Sequence, residues 1–96
     1  MANSKSIVSN EQRCIFCDTT KDLHRHHIFF GNGRRELSEK YGCWVFICAK
    51  HHNMSNMSVH ANKVMDLACK ELCQAEWEKN YGTREEFIKI FGRNYL

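Results

Sequence analysis

Two short hooks, Cys14-Ile15-Phe16-Cys17 and Cys48-Ala49-Lys50-His51, constrain this chain more than any other feature. Each carries two soft ligands at a spacing that one backbone turn closes on a single ion. Structural zinc takes four protein ligands, sulfur or nitrogen, in a tetrahedron. Cys14, Cys17, Cys48 and His51 are therefore expected to form a structural Zn2+ site of three thiolates and one imidazole. The chain needs such a staple. At 96 residues, with a 43% hydrophobic content that includes metal-committed cysteines, its core is small. The bland alternative is buried cysteines beside an unrelated histidine.

The six cysteines raise a second question, disulfide or thiolate. The chain opens Met-Ala-Asn-Ser-Lys with no apolar signal segment. A reducing, cytoplasmic setting and metal thiolates are expected, and no apolar run approaches the roughly 18 residues of a membrane span. A formal charge of +3 is compatible with nucleic acid without requiring it. Its distribution says more. Arg25, Arg34, Arg35, Lys40 and Lys50 share a stretch with the histidines, while Asp66, Glu71, Glu76 and Glu78 lie downstream. A phosphate-bearing partner suits that arrangement, as does an ordinary solvated surface.

The pattern predicts one α+β domain over 1–96. Residues 1–12 form a loose polar arm in which Ile7-Val8 can dock. Residues 13–60 hold the metal-binding core. His26–Phe30 has strand character, Gly31-Asn32-Gly33 marks a turn, and residues 34–40 form a short helix or a loop. Trp44–Ile47 is the clearest strand. A helix begins within 51–55, and 54–58 reads as loop. Residues 61–96 are helical. Ala61, Met65, Ala68, Leu72 and Ala75, widened by Val64, Leu67 and Cys69, recur at helical spacing as far as Asn80. Tyr81-Gly82 ends that helix. Thr83 with Glu86 is a capping box, Phe87, Ile88, Ile90 and Phe91 face inward, and Gly92 stops the second helix. Trp44, Phe46, Trp77, Phe87 and Phe91 read as core aromatics. Cys43 reads as packing, and Cys69 with Cys73 as buried apolar residues or a second thiolate pair.

Around the hooks sit histidines that a structural zinc does not use: His24, His26, His27, His52 and His60. Neighbours on a strand point to opposite faces. Of His26 and His27, one can hold a divalent ion while the other stays neutral to take a proton from water. An unperturbed histidine suits that base role at neutral pH. His52-Asn53 and His60 can complete the ion's shell. His24 reads as a surface residue or a neighbour of a ligand.

Cys14-x-x-Cys17, His26-His27-Ile28 and Ile47-Cys48-x-x-His51-His52-Asn53 together resemble the HNH endonucleases, the zinc-bearing branch of the ββα-metal (His-Me finger) nucleases. The resemblance covers about residues 14–60. The layout with C-terminal helices is similar to small HNH proteins of phages and prophages. It implies a treble-clef-like hairpin and helix cradling one ion, Mg2+ or Mn2+, in the cytoplasm of a bacterium or a phage-infected cell. By position it makes His27 the general base and His26, Asn53 and His60 ligands of the catalytic ion, with His52 a candidate ligand. Arg34, Arg35 and Lys50 would contact DNA phosphates. The family's middle asparagine, which braces the loop near the base, is replaced by Cys43. The fourth zinc ligand is His51 where the family pattern has cysteine.

The expected function is metal-dependent hydrolysis of DNA phosphodiesters. The alternative is a non-catalytic treble-clef zinc module that binds nucleic acid or a protein. A chain this small has little surface for reading a long site, which a homodimer or a recruiting protein partner would extend.

Overall fold

The computed structural model describes residues 5–31, 33–53 and 58–96. The expected turn residue Asn32 and most of the expected loop at 54–58 lie outside them. Two strands, β1 (Leu23–His27) and β2 (Trp44–Cys48), pair antiparallel with His26 opposite Val45 and His27 opposite Trp44. Helix α1 (Arg34–Tyr41) occupies the connection, α2 (Ala49–His52) follows β2 directly, and α3 (Lys63–Asn80) and α4 (Arg84–Phe91) complete an α+β arrangement. No helix among the described residues is long and apolar enough to cross a membrane.

The first strand begins and ends earlier than the apolar pattern of residues 26–30 implied. Past His27 the backbone leaves the ladder for other partners. The Ile28 amide donates to the Cys43 carbonyl at 2.9 Å. The Ser38 hydroxyl, buried on α1, accepts from Phe29 N at 2.9 Å and donates to Phe29 O at 2.7 Å. These bonds satisfy buried backbone groups without a strand and fasten α1 to the segment just after the paired histidines. Ile28 and Phe29 then bury completely.

The arm is docked from residue 5 onward. Ile7 N donates to Gly42 O at 2.9 Å, and the Ser6 hydroxyl bonds the Trp44 carbonyl. Gly42 caps α1 at φ +72°, and a Cβ there would strike the Lys5 carbonyl oxygen.

Helix α3 starts at Lys63, behind an Asn62 cap whose side chain accepts from Val64 N and Met65 N. Its covered face is narrower than the apolar spacing predicted. Cys69, Cys73, Gln74 and Trp77 are buried, whereas Val64 and Leu72 are exposed at 75% and 51%. Gln74 goes inside because every polar atom of its amide is used. Oε1 accepts from Tyr95 N at 2.7 Å, and Nε2 donates to Asn94 and Glu78. Those bonds also fold the C-terminal tail back onto α3. The predicted capping box of α4 is present, and Gly92 ends the helix at φ +92°. Phe87 and Phe91 point inward, but Ile88 is exposed, because an eight-residue helix presents only one turn-spaced stripe to its neighbour. Phe29 packs against Phe91 and Phe87 with ring centroids 4.6 and 5.7 Å away. Burying an aromatic ring in such a cluster contributes about 3–5 kcal/mol. Helix α4 thus holds the residue two positions beyond His27. Trp44 is 6% exposed and is covered by Arg25, whose guanidinium carbon lies 4.0 Å from the ring centroid.

Candidate metal centres and histidine cleft

Antiparallel pairing sets Leu23, the start of β1, opposite Cys48, the end of β2, and α2 turns back from that point. Cys14 and Cys17 arrive from the preceding turn, held by Cys14 N to Thr19 O and Ile15 N to Phe46 O at 2.9 and 3.2 Å. The result is a group of ligand atoms from Cys14, Cys17, Cys48 and His51 that all lie within 4.8 Å of one another. Cys48 Sγ and Cys14 Sγ are 3.2 and 3.6 Å from His51 Nδ1, and Cys17 Sγ is 3.8 Å from Cys48 Sγ. A tetrahedron built on Zn–S of about 2.3 Å and Zn–N of about 2.0 Å has edges of roughly 3.5–3.8 Å. The group can hold a metal ion such as zinc.

Burial works to raise the Cys14 thiol, but the amides of Cys48, Phe16 and Cys17 outweigh it and the net shift is downward. Cys17 moves up: the Thr19 amide favours its thiolate, yet desolvation and the neighbouring sulfurs of Cys14 and Cys48 win. Packed sulfurs without a cation cannot all ionise, and a divalent charge removes that conflict.

Cys43, Cys69 and Cys73 are buried in the core, and all six cysteines are free. Desolvation pushes the Cys69 thiol up to about 12 and Cys73 higher still, with Cys43 adding to the shift at Cys73. Thiols so disfavoured as thiolates behave as small core residues.

A second group gathers His26, His52 and His60, again with ligand atoms within 4.8 Å of one another. His52 Nε2 and His60 Nε2 are 3.2 Å apart. His26 is 2% exposed, and its Nε2 is buried with no hydrogen-bond partner among the described residues. A buried, unsatisfied ring nitrogen costs free energy unless something binds it. Burial, then the His52 and His60 rings, pushes the His26 pKa down to about 3. His52 is lowered too, by burial first and then by His60 and His24. Both rings are therefore held neutral, the form that binds metal. His52 also receives His24, with the two Nδ1 atoms 2.9 Å apart.

His27 projects from the same strand end toward α1, where its Nε2 bonds the Glu39 carboxylate. Glu39 Oε1 in turn accepts from Arg25 Nη2 at 3.1 Å. His27 and the His26–His52–His60 group nevertheless line one cleft of about 240 Å3, joined by Arg25, Phe30 and Arg35.

Of the residues expected to contact phosphate, exposed Arg35 lines this cleft and exposed Lys50 sits on α2. Arg34 is differently placed. Its Nη1 bonds the Phe91 carbonyl at the end of α4, beside Gly92, where a Cβ would come within 2.8 Å of its Nη2. Its guanidinium thus caps a helix C-terminus. Asn53 is exposed at the end of α2, its backbone N–H donating to Ala49 O at 3.1 Å. Sequence reasoning missed Glu39 and Ser38 altogether. Neither belongs to a local motif, and only the packing of α1 on β1 brings them to the site. The chain matches no family model, no curated protein and no solved structure.

Proposed function

We propose that this chain is a metal-dependent endonuclease of the HNH, ββα-metal kind, hydrolysing DNA phosphodiester bonds. One observation carries the reading: a histidine free of the metal group and three histidines able to share an ion line the same cleft. Hydrolysis of a phosphodiester needs those two parts side by side, a proton acceptor and a cation against the phosphate. In support of it, the histidine strand β1 pairs with β2 across the α1 connection, and β2 leads directly into α2.

His27 takes a proton from the attacking water at the ring nitrogen not bonded to Glu39. His26, His52 and His60 would hold the divalent ion, which when bound offsets charge on the scissile phosphate and on the leaving oxygen. Their donors are all imidazole nitrogens, which suit first-row transition-metal ions better than Mg2+. Arg25 and Arg35 put positive charge along the cleft wall, where a phosphate backbone would lie. Cys14, Cys17, Cys48 and His51, with a structural zinc, keep the hairpin and α2 at a fixed angle and do no chemistry.

The test is cleavage of plasmid, branched and single-stranded DNA in Mn2+ or Mg2+ beside the His27→Ala protein. The variant is expected to keep its zinc and its circular dichroism while losing cleavage by about 10²–10⁴-fold. Full activity in His27→Ala would defeat the assignment. A wild-type protein that binds zinc, no second ion, and cleaves nothing would be the non-catalytic zinc module instead.

A further inference from the structure

Nothing in the sequence marks Glu39, twelve residues beyond His27 on a different element. In the fold its carboxylate is shared. Oε2 bonds His27 Nε2, Oε1 accepts from Arg25 at 3.1 Å, and the Arg25 guanidinium carbon lies 4.0 Å from the Trp44 ring centroid. Trp44, Arg25, Glu39 and His27 form a continuous chain along one side of the hairpin. The helix that carries Glu39 cannot drift from His27, because the adjacent Ser38 clamps both backbone groups of Phe29. Ser38 also accepts from Cys43 N through its carbonyl, at 2.7 Å, and Cys43 O in turn holds Ile28 N.

We propose that Glu39 is the positioning residue of His27, fixing the ring so that Nε2 carries the hydrogen and Nδ1 faces the cleft as the acceptor. A neutral imidazole has one donor and one acceptor nitrogen, and an ionised carboxylate only accepts. The nitrogen that faces Glu39 must then be the protonated one, and the other is left for a water. The Arg25 contact stops the carboxylate from rotating away. Cys43, in the place where the family pattern has its bracing asparagine, holds the backbone beside His27 through its own carbonyl, and Glu39 orients the ring. An ion pair this close to solvent contributes little to stability, so a loss on removing it reads as lost positioning. The catalytic consequence rests on the nuclease reading above; the hold on the ring does not.

The test uses zinc-loaded full-length protein with 15N-labelled histidine, the His27 signals identified by their loss in His27→Ala. Wild type is expected to show a single Nε2-protonated tautomer, Glu39→Ala a mixture of tautomers, and Glu39→Asp a partial return. Zinc content and circular dichroism of the variants should equal wild type. On cleaved DNA, Glu39→Ala should lower kcat about 10–100-fold with KM held within about twofold, and Glu39→Asp should recover part of it. An unchanged His27 spectrum in Glu39→Ala overturns the proposal whatever the cleavage result. A changed spectrum with unchanged kcat overturns its catalytic part. If wild type cleaves no DNA, the nuclease reading falls, and the ring spectra still decide whether Glu39 sets His27.

Discussion

His24 and His52 meet through their Nδ1 atoms at 2.9 Å, across the gap between β1 and α2. One nitrogen must donate and the other accept. The contact occupies the Nδ1 side of His52 and leaves its Nε2 on the other, 3.2 Å from His60 Nε2. A metal-binding imidazole is commonly oriented in this way by a bond to its far nitrogen. His24, read from the sequence as a surface residue or a neighbour of a ligand, is thus the residue that aims His52.

That relationship predicts that His24→Ala weakens binding of the second divalent ion without touching the first. Calorimetric titration of zinc-loaded protein with Mn2+ should show affinity reduced by about 10–100-fold, with zinc content unchanged. Equal Mn2+ affinity in the two proteins would mean that His24 orients nothing.

Cys14, Cys17, Cys48 and His51 can hold a metal ion such as zinc, and depriving them of it should abolish the fold. Structural zinc contributes about 10–16 kcal/mol in small zinc-binding peptides, against a total stability of about 5–15 kcal/mol for an ordinary domain. Chelation, or Cys48→Ser, is expected to eliminate the cooperative thermal transition seen by circular dichroism. A chelated protein that still melts cooperatively near the wild-type temperature would show that the hydrophobic core suffices.

Acid should weaken α4 through Glu86. Its carboxyl accepts from the Thr83 amide and hydroxyl, at 2.8 and 3.2 Å, and its pKa is held below the ordinary value by the amide first and the hydroxyl second. The folded state therefore binds this proton less readily than the unfolded chain. The contribution is complete above the unfolded value of 4.5 and is lost as pH falls through the lower folded value. Urea denaturation between pH 5 and 3 should show a shallower loss of stability in Glu86→Gln than in wild type. Identical slopes would remove Glu86 from the account.

Where an interaction is local, the residues announce it. The two Cys/His hooks and the Thr83–Glu86 box each join residues three positions apart, and Gly92 stands directly after the last turn it closes. Strand β2 was legible because Trp44–Cys48 is nearly all apolar and both of its faces are largely covered. The inward face of α3 was less so. Leu72 and Ala75 have the right chemistry, but what covers a helix depends on neighbours that lie elsewhere in the chain, and here they cover Cys73, Gln74 and Trp77.

The sequence by itself determined that Cys14, Cys17, Cys48 and His51 would converge, because each hook closes within one backbone turn and one metal ion could take all four ligands. It also supplied the adjacent His26 and His27, whose opposite directions follow from strand geometry. Only the tertiary structure decided which groups those two histidines face. His26 meets His52 because α2 packs back against β1, and His60 because Val59 N bonds the His51 carbonyl at 2.7 Å. His27 meets Glu39 because Ser38 bolts α1 to Phe29. Both partnerships join residues far apart in sequence. No periodicity or spacing marked Glu39, and the meeting of the three histidines, expected around one ion, is made by packing and long-range hydrogen bonds rather than by chain-local conformation.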